Sequence, residues 1–169
     1  GIQLSNTSSV TDLGVLVDSR LTFDLHISNI LTKATQRVGV FFRGFSSRHL
    51  DLMKKVFITY IRPSLEFNSN IWNPNKKYLI DKLENIQCRF TKRVPTLSHL
   101  SYLERLSPLN LEPLELRRLK FDLILYYKIL HNLTCNEPTS FSHLHYPPSS
   151  SRNPAPFLQK SSNFNQSLQ

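Results

Sequence analysis

Cysteine is scarce in this chain of 169 residues: Cys88 and Cys135 are its two thiols. They stand far apart in sequence, which gives neither a disulfide framework nor the paired spacing of a zinc site. His143-x-His145 does not rescue a metal reading with Cys135, because the ligand spacing is wrong. Long apolar runs are missing too, since nothing approaches the roughly 18 consecutive apolar residues of a membrane span. The opening GIQLSNTSSV has neither the charged segment nor the apolar core of a secretory signal. No internal repeat is visible, and no Ser/His/Asp or Cys/His arrangement has local support. These absences favour a soluble, unsecreted protein in a reducing compartment with no membrane partner. The chain opens on Gly1 rather than Met, in what reads as the middle of a β element, so a piece of a longer reading frame is expected.

What is present is apolar mass and positive charge. Apolar residues make up 40% and aromatics 11%, enough to bury a core in one ordinary domain. The formal net charge is +9. Clustered Lys and Arg gain free energy by releasing counterions from a phosphate backbone, so nucleic acid is the first candidate partner and a membrane surface the second. Through Leu133 the chain holds 19 basic and 11 acidic residues, net +8, against +1 for the rest. The charge therefore belongs to the body.

Patterning predicts a mainly α fold, with a short N-terminal β-hairpin, a bundle of about four to five helices and an irregular C-terminal tail. Between Ile2 and Phe23, short apolar runs alternate with the turn residues Asn6-Thr7-Ser8-Ser9 and Asp18-Ser19, which suggests two or three strands. After Asp24, a candidate N-cap, residues Ile27, Ile30, Leu31, Ala34, Val38, Phe41, Phe42 and Phe45 recur at helical steps, ending near Gly44. Ser47 is a candidate cap for a second helix, which Pro63 must end or kink. A third helix is predicted from about Lys77 to Arg93 with Leu79, Leu83, Ile86, Phe90 and Val94 inward. Ser101 and Glu104 have the spacing of a capping box. Pro113 suits the first residue of a long helix to about Asn132, in which Leu116, Leu119, Leu123, Tyr127 and Leu130 form a stripe widened by Leu114, Phe121 and Leu125. From Thr134 the composition turns to Ser, Asn and Pro, and a disordered tail is expected. The predicted division is residues 1–23, 24–133 and 134–169.

Several segments then match one pattern in order. Leu13-Gly14-Val15-x-x-Asp18-x-x-Leu21-x-Phe23-x-x-His26-Ile27 resembles the strand and turn after the palm in reverse transcriptases of non-LTR, LINE-like retrotransposons. Tyr60-Ile61-Arg62-Pro63-Ser64-Leu65-Glu66-Phe67 with Ile71-Trp72-Asn73-Pro74 resembles the thumb helix and exit of the Jockey-like and chicken-repeat-like clades. Leu83-Glu84-Asn85-Ile86-Gln87-Cys88-Arg89-Phe90, Leu103-Glu104-Arg105-Leu106 and Arg117-Arg118-Leu119-Lys120-x-Asp122 complete the series, which spans about three quarters of the chain. The resemblance implies the end of the palm with a primer-grip-like hairpin at Leu13, Gly14 and Val15, then a thumb and a helical extension. It also implies an RNA/DNA template-primer and the parent polymerase's palm and fingers as partners, in an intracellular location that includes the nucleus. Polymerase chemistry in that family needs two metal ions on a carboxylate triad with adjacent aspartates, because both the attacking and leaving oxygens must be stabilised. No two acidic residues are adjacent here. Asp12, Asp18 and Asp24 read as turn and helix-start residues. No catalytic residue and no cofactor is expected in this piece, the parent's Mg2+ belonging elsewhere.

The candidate nucleic-acid contacts are Lys82, Arg89 and Arg93, at i, i+7 and i+11 on the third helix. They form a basic rail roughly 16 Å long at ~1.5 Å per residue, opposite the apolar stripe. Lys76, Lys77 and Lys92 thicken it, and Arg62 is a further candidate, with Glu66 as the alternative partner if the helix continues beyond Pro63. A solvated face partnered by Asp81 and Glu84 is the alternative. Arg117 and Arg118 sit where the helix dipole disfavours cations, so a carboxylate, Glu66, Glu84 or Glu104, or else a phosphate, is expected to hold at least one of them. Gly14 either lets backbone approach a primer or marks a bulge. Trp72, Tyr60 and Tyr102 either stack on bases or belong to the core. Three readings remain: a non-catalytic reverse-transcriptase segment gripping phosphates, a helical protein-interaction or packing module, or an inactive retrotransposon remnant.

Overall fold

A computed structural model describes residues 7–131 together with 133 and 134. The expected fold class is the observed one. Strands β1 (Ser9–Asp12) and β2 (Val15–Asp18) pair antiparallel, with Asp12 opposite Val15. Leu13 and Gly14 form the two-residue turn between them at φ 44° and 83°. Two successive positive φ values make a type I′ hairpin turn. Gly14 is therefore a turn residue and not a strand bulge. The tail expected over 134–169 lies outside the described residues, Thr134 excepted, as do Ile2 and Leu4.

Helix α1 (Asp24–Gly44) starts without a side-chain cap of its own. Asp18 supplies the missing acceptor: its carboxylate takes the N–H groups of Arg20, Thr22 and Phe23 and the Thr22 hydroxyl, at 2.8–3.2 Å. Desolvation opposes the Asp18 charge, but these hydrogen bonds outweigh it and hold the carboxyl below its ordinary pKa. Asp24, expected as the cap, is instead the first helical residue and pairs with Lys76 at 2.7 Å.

The next helical run is α2 (Leu50–Val56), a π-helical turn (Phe57–Ile61) and α3 (Arg62–Glu66). The expected Ser47 cap is not used, as the helix starts three residues later with His49 at its cap. Proline lacks an N–H and its ring crowds the carbonyl four residues back; the widened turn just before Pro63 accommodates both demands. Arg37 of α1 donates to the Tyr60 carbonyl at 2.9 Å and lies over the Tyr60 ring, which pins this turn to α1.

A short α4 (Ser69–Trp72) buries Trp72, whose indole N–H donates to the Phe67 carbonyl. Helix α5 (Lys77–Thr91) buries Leu79, Leu83, Ile86 and Phe90, as the sequence pattern requires. The Phe90 ring meets Phe41, Phe42 and Phe57 at centroid distances of 6.0, 5.3 and 5.2 Å, joining α1, α2–α3 and α5 in one core. After a 3₁₀ turn (Pro95–Leu97), α6 (Tyr102–Leu109) opens on the Ser101/Glu104 capping box and runs through Pro108. Helix α7 spans Leu114–Leu130.

The predicted inward stripe of α7 is corrected. Leu114 and Arg118 are the buried residues of that helix, while Leu116, Leu119 and Leu123 are exposed. Phe45 is likewise exposed, just past the end of α1. Contacts divide the described residues into a unit through Asp122 and a second from Leu123 onward.

Candidate nucleic-acid interface

The charged residues of the matching segments meet in a polar network. Arg117 makes a fork-like pair with Glu66, Nε to Oε1 at 2.5 Å and Nη2 to Oε2 at 3.1 Å. Arg62 joins the same carboxylate at 3.7 Å. The Glu66 bond raises the Arg117 pKa, whereas burial and the neighbouring Arg117 charge lower that of Arg62. Asn73 accepts from Arg118 Nε at 3.1 Å and donates to Asp122 at 2.6 Å, while Asn70 donates to the other Asp122 oxygen. Arg117 thus has the carboxylate partner expected of it. Arg118 does not: it is 1% exposed, is held by an amide, and keeps both terminal nitrogens without a hydrogen-bond partner among the described residues. Burial pushes its pKa down against the pull of Glu84, Glu115, Glu66 and Asp122.

Glu84 and Glu104 are helix caps instead of ion-pair partners for these arginines. The Glu84 carboxylate accepts the N–H groups of Leu114 and Glu115 at 3.1 Å each, neutralising the amide-rich start of α7, and it also accepts the Tyr102 hydroxyl. Burial and this bond push the Tyr102 hydroxyl pKa far up. Tyr102 accepts in turn from the fully buried Gln87, which also donates to the Glu112 carbonyl. Glu104 accepts the Ser101 N–H at 2.8 Å, which lowers its pKa. Arg105, missed in the sequence, is also buried, spanning Thr91, the Leu100 carbonyl and Cys88.

Several rail candidates are neutralised. Lys76 pairs with Asp24, Lys77 with Asp81 and Glu115, and Arg62 with Glu66, so each of these three has an acidic partner that a phosphate would have to displace. Asp24 raises the Lys76 pKa and Asp81 that of Lys77, as such pairing requires. Lys82, Arg89, Lys92 and Arg93 remain exposed and make no salt bridge among the described residues. Arg93 lies outside α5, because the helix stops at Thr91. Its guanidinium is placed by stacking 4.4 Å from the Phe42 ring centroid, not by helical azimuth.

Stacking of Arg93 on Phe42 extends the basic edge from α5 to the end of α1. A groove of about 130 Å³ runs between the two helices, lined by Thr35, Val38, Gly39, Ile86, Arg89 and Arg93. Arg43 reaches back over Gly39, its Nη1 3.5 Å from where a Cβ would stand. Arg43 also has no acidic partner among the described residues, and sequence spacing on α5 alone could not have found it. Arg48 is spent differently, donating to the Phe42 and Ser47 carbonyls at 3.1 and 3.0 Å and so closing the C-terminus of α1.

At the hairpin, Leu13 is 83% exposed at the tip, while Val15 is buried in the core and cannot touch a nucleic acid. Behind it, His26 Nδ1 accepts the Leu16 N–H at 3.2 Å, and its ring meets Trp72 edge-on at 5.5 Å. Trp72 is core and Tyr102 is half-buried in the Glu84 network, so neither offers a free stacking face, whereas Tyr60 is 42% exposed with Arg37 over its ring.

Among the described residues no three His, Cys, Asp or Glu side chains are grouped to hold a metal ion, so no residue is assigned to the Mg2+ of the resembled family. No described helix is long and apolar enough to cross a membrane. Fold and surface together define a hairpin-capped helical bundle with an unneutralised basic edge. Over 126 residues the chain is 30% identical to an uncharacterized protein of Caenorhabditis elegans, a match covering 73% of this chain and 64% of that protein. The chain thus spans less than two thirds of the length of this relative. No protein-family model matches, and no solved structure does.

Proposed function

We propose that this chain is a non-catalytic C-terminal segment of a non-LTR retrotransposon reverse transcriptase, positioning an RNA/DNA template-primer through phosphate contacts. The observation that carries the reading is five exposed cations, Arg43, Lys82, Arg89, Lys92 and Arg93, with no salt bridge among the described residues, of which Arg89 and Arg93 line one groove. Cations that served only solubility would gain from interspersed acids, as Lys76, Lys77 and Lys120 do. Such unpaired cations supply sequence-independent affinity for phosphates. In this reading the remaining partners are the palm and fingers of the parent polymerase, in an intracellular setting that includes the nucleus.

A salt titration of binding to an RNA/DNA hybrid tests it. Affinity falls steeply with salt, and Arg89→Ala, Arg93→Ala and Lys82→Ala each lower the slope of log K against log salt by about 1. A slope unchanged in all three variants sinks the reading. The packing-module reading is favoured by the exposed Leu116, Leu119, Leu123 and Ile124 of α7, and it predicts negligible hybrid binding at physiological salt.

A further inference from the structure

The groove between α1 and α5 differs from a plain phosphate-binding edge. Its floor is mostly apolar, from Val38, Gly39 and Ile86 with Thr35 beside them, and its rim carries Arg89 and Arg93 with Arg43 alongside. A phosphate needs the rim but not the floor. Glycine in a helix interior is a destabilising choice compared with alanine, and Gly39 is not forced by packing: a Cβ there would meet Arg43 at an ordinary 3.5 Å. What the missing side chain leaves is open space between the arginines.

Size limits what that space can take. An apolar cavity of ~150 Å³ holds one benzene ring, so a groove of about 130 Å³ admits one six-membered ring and excludes a base pair. An apolar floor with a cationic rim complements a planar ring attached to an anion. The two arginines that line the groove are also held differently: Arg93 is fixed against Phe42, whereas Arg89 makes no salt bridge among the described residues and can swing to a ligand.

We propose that the α1–α5 groove is a nucleotide subsite, which takes one unpaired pyrimidine on Val38, Gly39 and Ile86 and its flanking phosphates on Arg43, Arg89 and Arg93. It rests on the nucleic-acid reading above and names the species bound there, a single-stranded end and not a duplex.

Fluorescence anisotropy with the full chain, at one fixed low salt concentration, separates the two levels. The ligands are an oligothymidylate, an abasic strand of the same length and charge, and a blunt duplex. Unmodified protein binds the oligothymidylate about tenfold more tightly than the abasic strand, the order of preference expected from burying one base ring on an apolar floor. Gly39→Leu, which fills the groove, abolishes that preference and leaves duplex affinity unchanged. Gly39→Ala, whose methyl the helix accepts, reduces the preference without loss of thermal stability and serves if the leucine variant does not fold. Equal affinity for the thymidylate and abasic strands, with duplex still bound, overturns the subsite and leaves the phosphate reading standing. So does a preference that survives both substitutions. Binding to none of the three ligands overturns both.

Discussion

Replacing Glu84 with alanine removes one carboxylate that three helices share. Its oxygens accept the Leu114 and Glu115 amides and the Tyr102 hydroxyl, so α5, α6 and the start of α7 are joined through it. Loss of a helix cap costs ~0.5–2 kcal/mol, and a hydrogen bond to a charged group contributes ~1.5–3 kcal/mol. Arg118 also loses the first of the carboxylates that favour its charge. These contributions overlap, and a total near 3 kcal/mol is expected, equivalent to a fall in Tm of roughly 6–12 °C for a domain of this size. Urea unfolding followed by Trp72 fluorescence measures it, since this sole tryptophan is 1% exposed and reports the core. Glu84→Gln keeps one acceptor oxygen and should fall between the two. Pairing Glu84→Ala with Tyr102→Phe should show a coupling of about 1 kcal/mol. A Glu84→Ala variant within ~0.5 kcal/mol of the parent, the range of an ordinary surface change, would refute the shared-cap argument.

Acid should loosen the hairpin through His26. Burial, then the Lys33 charge, lower its pKa, and Nδ1 must stay unprotonated to accept the Leu16 N–H. The unfolded histidine takes up its proton near pH ~6.5 while the folded one resists. The stability is therefore fully present above that pH and is lost as pH falls from there toward the lowered folded value. Urea midpoints between about pH 7.5 and 5 should fall more in the parent than in His26→Gln; parallel slopes would remove His26 from the explanation. At the hairpin tip, Leu13→Asn should raise stability by ~0.5 kcal/mol, because asparagine tolerates positive φ and the leucine side chain is exposed, whereas Gly14→Val should lower it by ~1–2 kcal/mol. Denaturant midpoints of the two variants moving in the same direction would contradict a type I′ turn.

Local chemistry carried most of the architecture. The three- and four-residue recurrence of apolar side chains placed α1 and α5, Pro63 announced the disturbed helix, and Ser101 with Glu104 announced the start of α6, because each acts within a turn or two of itself. The hairpin was legible for the same reason. Charge along one helix was legible as well: Lys82 and Arg89 lie on the exposed face where spacing put them.

What tertiary structure decided was which charges remain free. Asp24 lies 52 residues before Lys76, and Glu66 lies 51 before Arg117, distances over which no periodic pattern operates. The Asp24 pairing ties up Lys76, whereas Lys77 with Asp81 and Arg62 with Glu66 are pairs four residues apart that spacing already offered. Packing also turns Arg118 inward, against a leucine stripe that by pattern alone belonged there, and sets Arg43 over Gly39 in the groove that Arg89 and Arg93 line. The reason is physical: burial of a helix face is chosen by the whole packing arrangement, and an ion pair exists only where the fold has already brought its two partners within reach.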